Sequence, residues 1–131
     1  MDFTVPAPIG PRVRHAHPQV VQASGIDHAY VLRGAGLRGA ARLEHPTTGR
    51  FLEISTDQPS LQVYTGNFLD GTLIGRDGRL LRQGDGIALE TQGHPDAPNQ
   101  PAFPSPVLRA GQTYRALTLW RLGTAGRGMG S

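Results

Sequence analysis

The chain has 131 residues, of which 18 are Gly and 11 are Pro, nearly double the roughly 12% that these two types contribute on average. Each interior Gly costs a helix about 1 kcal/mol and each Pro about 3, so a helical bundle is all but excluded and short strands with frequent turns remain. All 13 basic residues are Arg, scattered from Arg12 to Arg127 with Asp and Glu between them for a net charge of +3, which is not the clustered patch that nucleic-acid binding calls for.

Residues 1–25 read as an extended approach punctuated by Pro6, Pro8, Pro11 and Pro18. A first strand is predicted at Ile26–Arg33 and a second at Ala40–Glu44. The stretch His45-Pro46-Thr47-Thr48-Gly49 has turn chemistry, and Arg50–Thr56 alternates Leu52, Ile54 and Thr56 against Glu53 and Ser55. Two strands flanking a Gly-ended loop predict a hairpin. Leu61–Tyr64 predicts a short strand with Leu61 and Val63 on one face and Gln62 and Tyr64 on the other. Asp77-Gly78 is a turn signal between Leu73-Ile74 and Leu80-Leu81.

Ile87–Glu90 again has period two, with Glu90 opposite Ile87 and Leu89. Between Thr91 and Pro106, Pro95, Pro98, Pro101 and Pro104 recur every third residue, the repeat of polyproline II. A Pro-rich loop crossing a sheet is the commoner source of such spacing than a ligand for an adaptor domain, and Asn99, Gln100 and Phe103 look built to dock. The last strand is predicted at Gln112–Leu122, with a half-apolar second face that implies cover on both sides. The tail, residues 123–131, is Gly-rich and expected to be flexible.

The absence of Cys excludes disulfides, thiolate metal sites and a Cys nucleophile, and favours a reducing, cytoplasmic setting. Neither a signal peptide nor a run of ~20 apolar residues is visible, so no membrane span is expected. Gly34-Ala35-Gly36-Leu37-Arg38-Gly39 fits the three-glycine dinucleotide pattern, but that mechanism needs a helix, and Pro46 and Gly49 leave no room for one. His15, His17, His28, His45 and His94 show no spacing that gathers three or four metal ligands. No Gly-x-Ser-x-Gly elbow is present for a serine nucleophile. The polar residues that stand out are Asp27, Gln62 and Glu90. If their strands are neighbours, they form a patch on one sheet face that can bind hydroxyls and supply a base.

The run Leu61-Gln62-Val63-Tyr64-Thr65-Gly66-Asn67-Phe68-Leu69-Asp70-Gly71 is followed by Gly86-Ile87-Ala88-Leu89-Glu90-Thr91-Gln92 and then Pro95-Asp96-Ala97-Pro98-Asn99-Gln100-Pro101. Together these closely resemble the aldose 1-epimerases, the galactose mutarotases. Asp2-Phe3 with Ile9-Gly10, Gly25-Ile26-Asp27-His28 and Val107–Arg115 support the likeness, which covers residues 2–122. It implies an all-β fold, the C-terminal part of an antiparallel β-sandwich of the galactose-mutarotase type, or supersandwich, over residues 1–122. It also implies interconversion of the α and β anomers of an aldohexose by ring opening and closure, with no metal and no cofactor.

Carried over position by position, Glu90 matches the catalytic base, while Asp27 and Gln62 match residues that hydrogen-bond sugar hydroxyls. Family members are roughly two to three times longer, and their acid His, a second substrate-binding His and an Arg precede what begins here at Asp2. None of the five histidines corresponds to them. The chain is therefore expected to be a C-terminal piece, from a truncated gene or as half of a split protein, with a missing N-terminal half or self-association through open sheet edges as its partner. Two other readings stand beside this one: a non-catalytic sugar-binding module, and a structural fragment without independent function.

Overall fold

The computed structural model describes residues 1–125. They are all-β, with eight strands and helix confined to three short stretches. Those are α1 (Ile9–Arg12), α2 (Pro18–Gln22) and a 3-10 turn at Ala97–Asn99. None of the described helices is long and apolar enough to cross a membrane. The chain forms two compact units, one from Met1–Tyr30 with Gln62–Glu90, the other from Val31–Leu61 with Thr91 onward.

The predicted approach segment is helical at two places in the first unit. Pro18 occupies the first turn of α2, where its missing N–H costs nothing, and the His17 ring accepts the Gln19 N–H at 3.3 Å as the cap. Val20 from this helix is buried. Strands β1 (Asp27–Val31), β4 (Ser60–Tyr64) and β7 (Ala88–Gln92) pair in the order β1-β4-β7. Asp27, Gln62 and Glu90 all lie on the portions of these strands that belong to the first unit. Strands β5 (Asp70–Ile74) and β6 (Leu80–Arg82) form a hairpin around the predicted Asp77-Gly78 turn, with Ile74 opposite Leu80 and Gly78 at φ +76°. Tyr30 packs edge-on against Phe3, and its buried hydroxyl has no hydrogen-bond partner among the described residues. Burial pushes that phenol's pKa up, and the Arg12 guanidinium opposes the rise.

In the second unit, β2 (Arg38–His45), β3 (Arg50–Thr56) and β8 (Thr118–Thr124) form an antiparallel sheet in that order. The glycine pattern at 34–39 leads into strand β2, not a helix. The hairpin turn closes where expected: the Gly49 N–H donates to the His45 carbonyl at 2.9 Å, and Gly49 adopts φ +68°. On the core-facing row of β3, Ile54 and Thr56 are buried. On the other face Glu53 lies between Arg42 and Arg121 in the strand register and pairs with both, and both guanidinium groups stack on the Phe51 ring.

Three expectations are corrected here. The last strand begins at Thr118, not Gln112, because Thr118 pairs with Thr56, the final residue of β3, and the ladder ends there. Residues before it are held by single bonds: the Leu117 carbonyl accepts the Asp57 N–H at 3.2 Å, the Leu117 N–H donates to Asp57 Oδ1 at 3.0 Å, and the Tyr114 hydroxyl to Gln58 Oε1 at 3.1 Å. The same strand runs on through Gly123 and Thr124, the first two residues of the expected tail, while residues 126–131 of that tail lie outside the described residues. Nor is β8 covered on both sides. It is an edge strand among the described residues, and Leu119, Trp120 and Leu122 are exposed.

The Pro-rich loop does not run as polyproline II throughout. Asp96 takes a left-handed conformation and its carboxylate accepts the Asn99 and Gln100 side-chain amides at 2.5 and 2.9 Å. Those two bonds, Gln100's foremost, hold the Asp96 pKa below the usual carboxylate range. Asn99 and Gln100 thus tie the loop to itself, and Phe103 packs on the His94 ring at 4.5 Å.

Candidate functional site

Three strands place the three candidate residues. Gln62 sits on the central strand β4, with Asp27 on β1 to one side and Glu90 on β7 to the other. The alternation that puts Leu61 into the core at 3% exposure turns Gln62 the other way. Gln62 Nε2 donates to Asp27 Oδ1 at 2.6 Å, joining residues 35 apart in sequence. Glu90 is exposed on its strand. The tertiary structure therefore joins Asp27 and Gln62 directly, and sets Glu90 on the strand next to Gln62.

A buried polar knot stands behind Asp27. The Ile26 N–H donates to Thr65 Oγ1 at 3.1 Å, and the Ile26 carbonyl accepts the Thr65 N–H at 3.0 Å and Asn67 Nδ2 at 3.0 Å. The second Asn67 amide proton goes to the Ala23 carbonyl at 2.8 Å, and the Thr65 hydroxyl donates to Asn67 Oδ1 at 2.6 Å. Asn67 fits only because position 25 is Gly, with φ +146°. A Cβ there would lie 2.2 Å from Asn67 Oδ1. Nothing in the alternation of the sequence marks Thr65 or Asn67, which follow the strand in a loop. The one cue is the glycine ahead of Ile26-Asp27.

None of the histidines lies on the strands beside Gln62 except His28, whose Nδ1 accepts the Asp27 N–H at 3.0 Å. His17 caps α2, His45 bonds the Thr48 hydroxyl at 3.0 Å in the hairpin turn, and His94 packs on Phe103. Among the described residues no three His, Asp or Glu side chains converge as metal ligands would.

The sequence model of aldose 1-epimerases matches residues 1–121, almost the whole chain. The chain belongs to the aldose 1-epimerase family. It is 44% identical to human galactose mutarotase over 110 residues, which cover 83% of this chain and 32% of that protein. The aldose 1-epimerase of Haemophilus influenzae is 38% identical over 115 residues, 86% of this chain and 33% of that enzyme. The aldose 1-epimerase of Escherichia coli K12 is 39% identical over 101 residues, covering 74% and 29%. The chain thus spans about a third of the length of the curated relatives it matches.

Proposed function

We propose that this chain carries the base-bearing and hydroxyl-binding part of an aldose 1-epimerase acting on aldohexoses such as galactose and glucose. Glu90 takes the proton of the anomeric hydroxyl, while Asp27 and Gln62 hold other hydroxyls of the ring. The observation that carries this reading is the 2.6 Å hydrogen bond between Gln62 and Asp27. Among the described residues it leaves an amide proton, the amide oxygen and one carboxylate oxygen free, which suits hydroxyls that both donate and accept. Neighbouring strands lie about 4.8 Å apart, so the strands of Asp27 and Glu90 run about 10 Å apart, roughly the span of a pyranose with its hydroxyls. Membership of the family supports the reaction class.

The chemistry needs two groups on opposite sides of the C1–O5 bond. As the base removes the O1 proton, the O1 electrons form the aldehyde, C1–O5 breaks and an acid protonates O5. Rotation about C1–C2 in the open aldehyde, followed by the reverse steps, gives either anomer, and no electron or atom is gained or lost. A carboxylate accepts a proton at neutral pH, which suits Glu90 for the first task. The reading assigns the acid to none of the five histidines here and takes it, with a second substrate-binding His and an Arg, from outside these 131 residues.

Polarimetry of freshly dissolved α-D-galactose tests this. The 131-residue chain alone is expected to leave the rate near that of buffer. Supplying the remaining part of the fold, fused or as a second polypeptide, is expected to restore turnover, and Glu90→Gln in that assembly to lower it about 10²–10⁴-fold. Retained galactose binding with lost turnover supports Glu90 as the base. Turnover unchanged by Glu90→Gln overturns the assignment of Glu90 as base, and an assembly that binds galactose without turnover leaves a sugar-binding module.

A further inference from the structure

Asp27 is exposed, and its one side-chain tether among the described residues is the bond from Gln62. What anchors its carboxylate is the peptide unit joining Ile26 to Asp27, because that plane fixes the N–Cα bond from which the Asp27 Cβ projects. The plane is fully saturated on its carbonyl side: the Ile26 oxygen accepts both the Thr65 N–H and an Asn67 amide proton at 3.0 Å. The Ile26 N–H, one unit earlier, is held by Thr65 Oγ1, and Ile26 itself has no solvent exposure. Thr65 follows the end of β4 directly, so the element that carries Gln62 also grips the backbone ahead of Asp27.

From this geometry we infer that Thr65 and Asn67 are positioning residues: a buried latch that sets the Asp27 carboxylate within reach of Gln62 and so pre-forms the hydroxyl-binding pair. The assignment rests on the sugar-site reading above only for its consequence, not for its geometry. A hydroxyl accepts from Ile26 and donates to Asn67 at once, a pairing that Val cannot replace and Ser can. The Asn67 amide spends both its protons on the carbonyls of Ala23 and Ile26, so a shorter hydroxyl in its place loses at least one of them. The latch touches no part of the proposed sugar. It acts through Asp27, and preorganisation of this kind shows as affinity, not as new contacts.

The test uses the 131-residue chain, labelled with 15N, and the side-chain amide signal of Gln62. Asp27→Ala gives the reference for an amide without its acceptor. Thr65→Val and Asn67→Ser are expected to move the Gln62 amide most of the way to that reference, while Thr65→Ser keeps the wild-type position. Titration with D-galactose is expected to show affinity about tenfold weaker in Thr65→Val than in Thr65→Ser, the size of one hydrogen bond to a charged group. Ile54→Val, in the other unit, serves as a control for mere destabilisation and is expected to leave the signal in place. If Thr65→Val does not fold, the milder Asn67→Ser decides alone. A Gln62 signal that stays at its wild-type position in the latch variants overturns the inference. If galactose binds to no variant but the Gln62 signal still follows the latch, the positioning stands and the sugar reading falls.

Discussion

At the scale of single residues, Glu53 is the clearest electrostatic centre. Its carboxylate lies between Arg121 and Arg42, and hydrogen bonds from Arg121 first and Arg42 second hold its pKa below the usual 4.5. A group whose folded pKa is depressed stabilises the fold above its unfolded value and loses that contribution as pH falls through the folded value. The chain is therefore expected to lose melting temperature as pH drops below about 4.5, with part of the loss absent in Glu53→Gln, and the loss is expected to shrink in high salt. Melting curves of both proteins between neutral pH and strongly acid pH check it; identical acid slopes would remove Glu53 as a contributor. Gly25 gives a second prediction. Alanine there meets Asn67 Oδ1 at 2.2 Å on a backbone of φ +146°, so Gly25→Ala is expected to cost about 1–3 kcal/mol in chemical denaturation.

At the scale of elements, the β2-β3-β8 sheet depends on one row of side chains. Ile54 is 1% exposed, and its removal to Ala is expected to cost about 2–5 kcal/mol, measured as a shift in denaturation midpoint at unchanged slope. The opposite face gives a contrasting case at Gly123. It stands across from Phe51 in the register, and a Cβ there would sit 2.5 Å from the Phe51 ring. Gly123→Ala must therefore turn the ring away from Arg42 and Arg121. The hairpin of β2 and β3 was legible in the sequence because alternation and a Gly-ended turn are local signals. The start of β8 was not, since it is set by where its partner strand stops, at Thr56.

At the scale of the whole molecule, the chain covers about a third of its curated relatives, and β8 is an edge strand among the described residues. Trp120 and Leu122 project from one face of that strand at 58% and 76% exposure. Open apolar edges template further pairing. Sedimentation velocity of the isolated chain is expected to show association that grows with concentration, and Leu122→Lys to reduce it. A wild-type chain that stays monomeric at high concentration would weaken this expectation and the part of the partner reading that depends on it.

The sequence by itself determined the class of the fold, most strand positions and the family, because Gly and Pro content, period-two alternation and long ordered motifs are all written along the chain. It also picked out Asp27, Gln62 and Glu90 as residues of interest. Only the tertiary structure decided that Asp27 and Gln62 meet at 2.6 Å and that β4 lies between the other two strands. Only there, too, do Thr65 and Asn67 become visible as the hold on the peptide before Asp27. The physical reason is the same in each case: strand order and loop-to-backbone hydrogen bonds join residues some 35 to 41 positions apart, and no local pattern encodes which partner a strand or a buried amide will find.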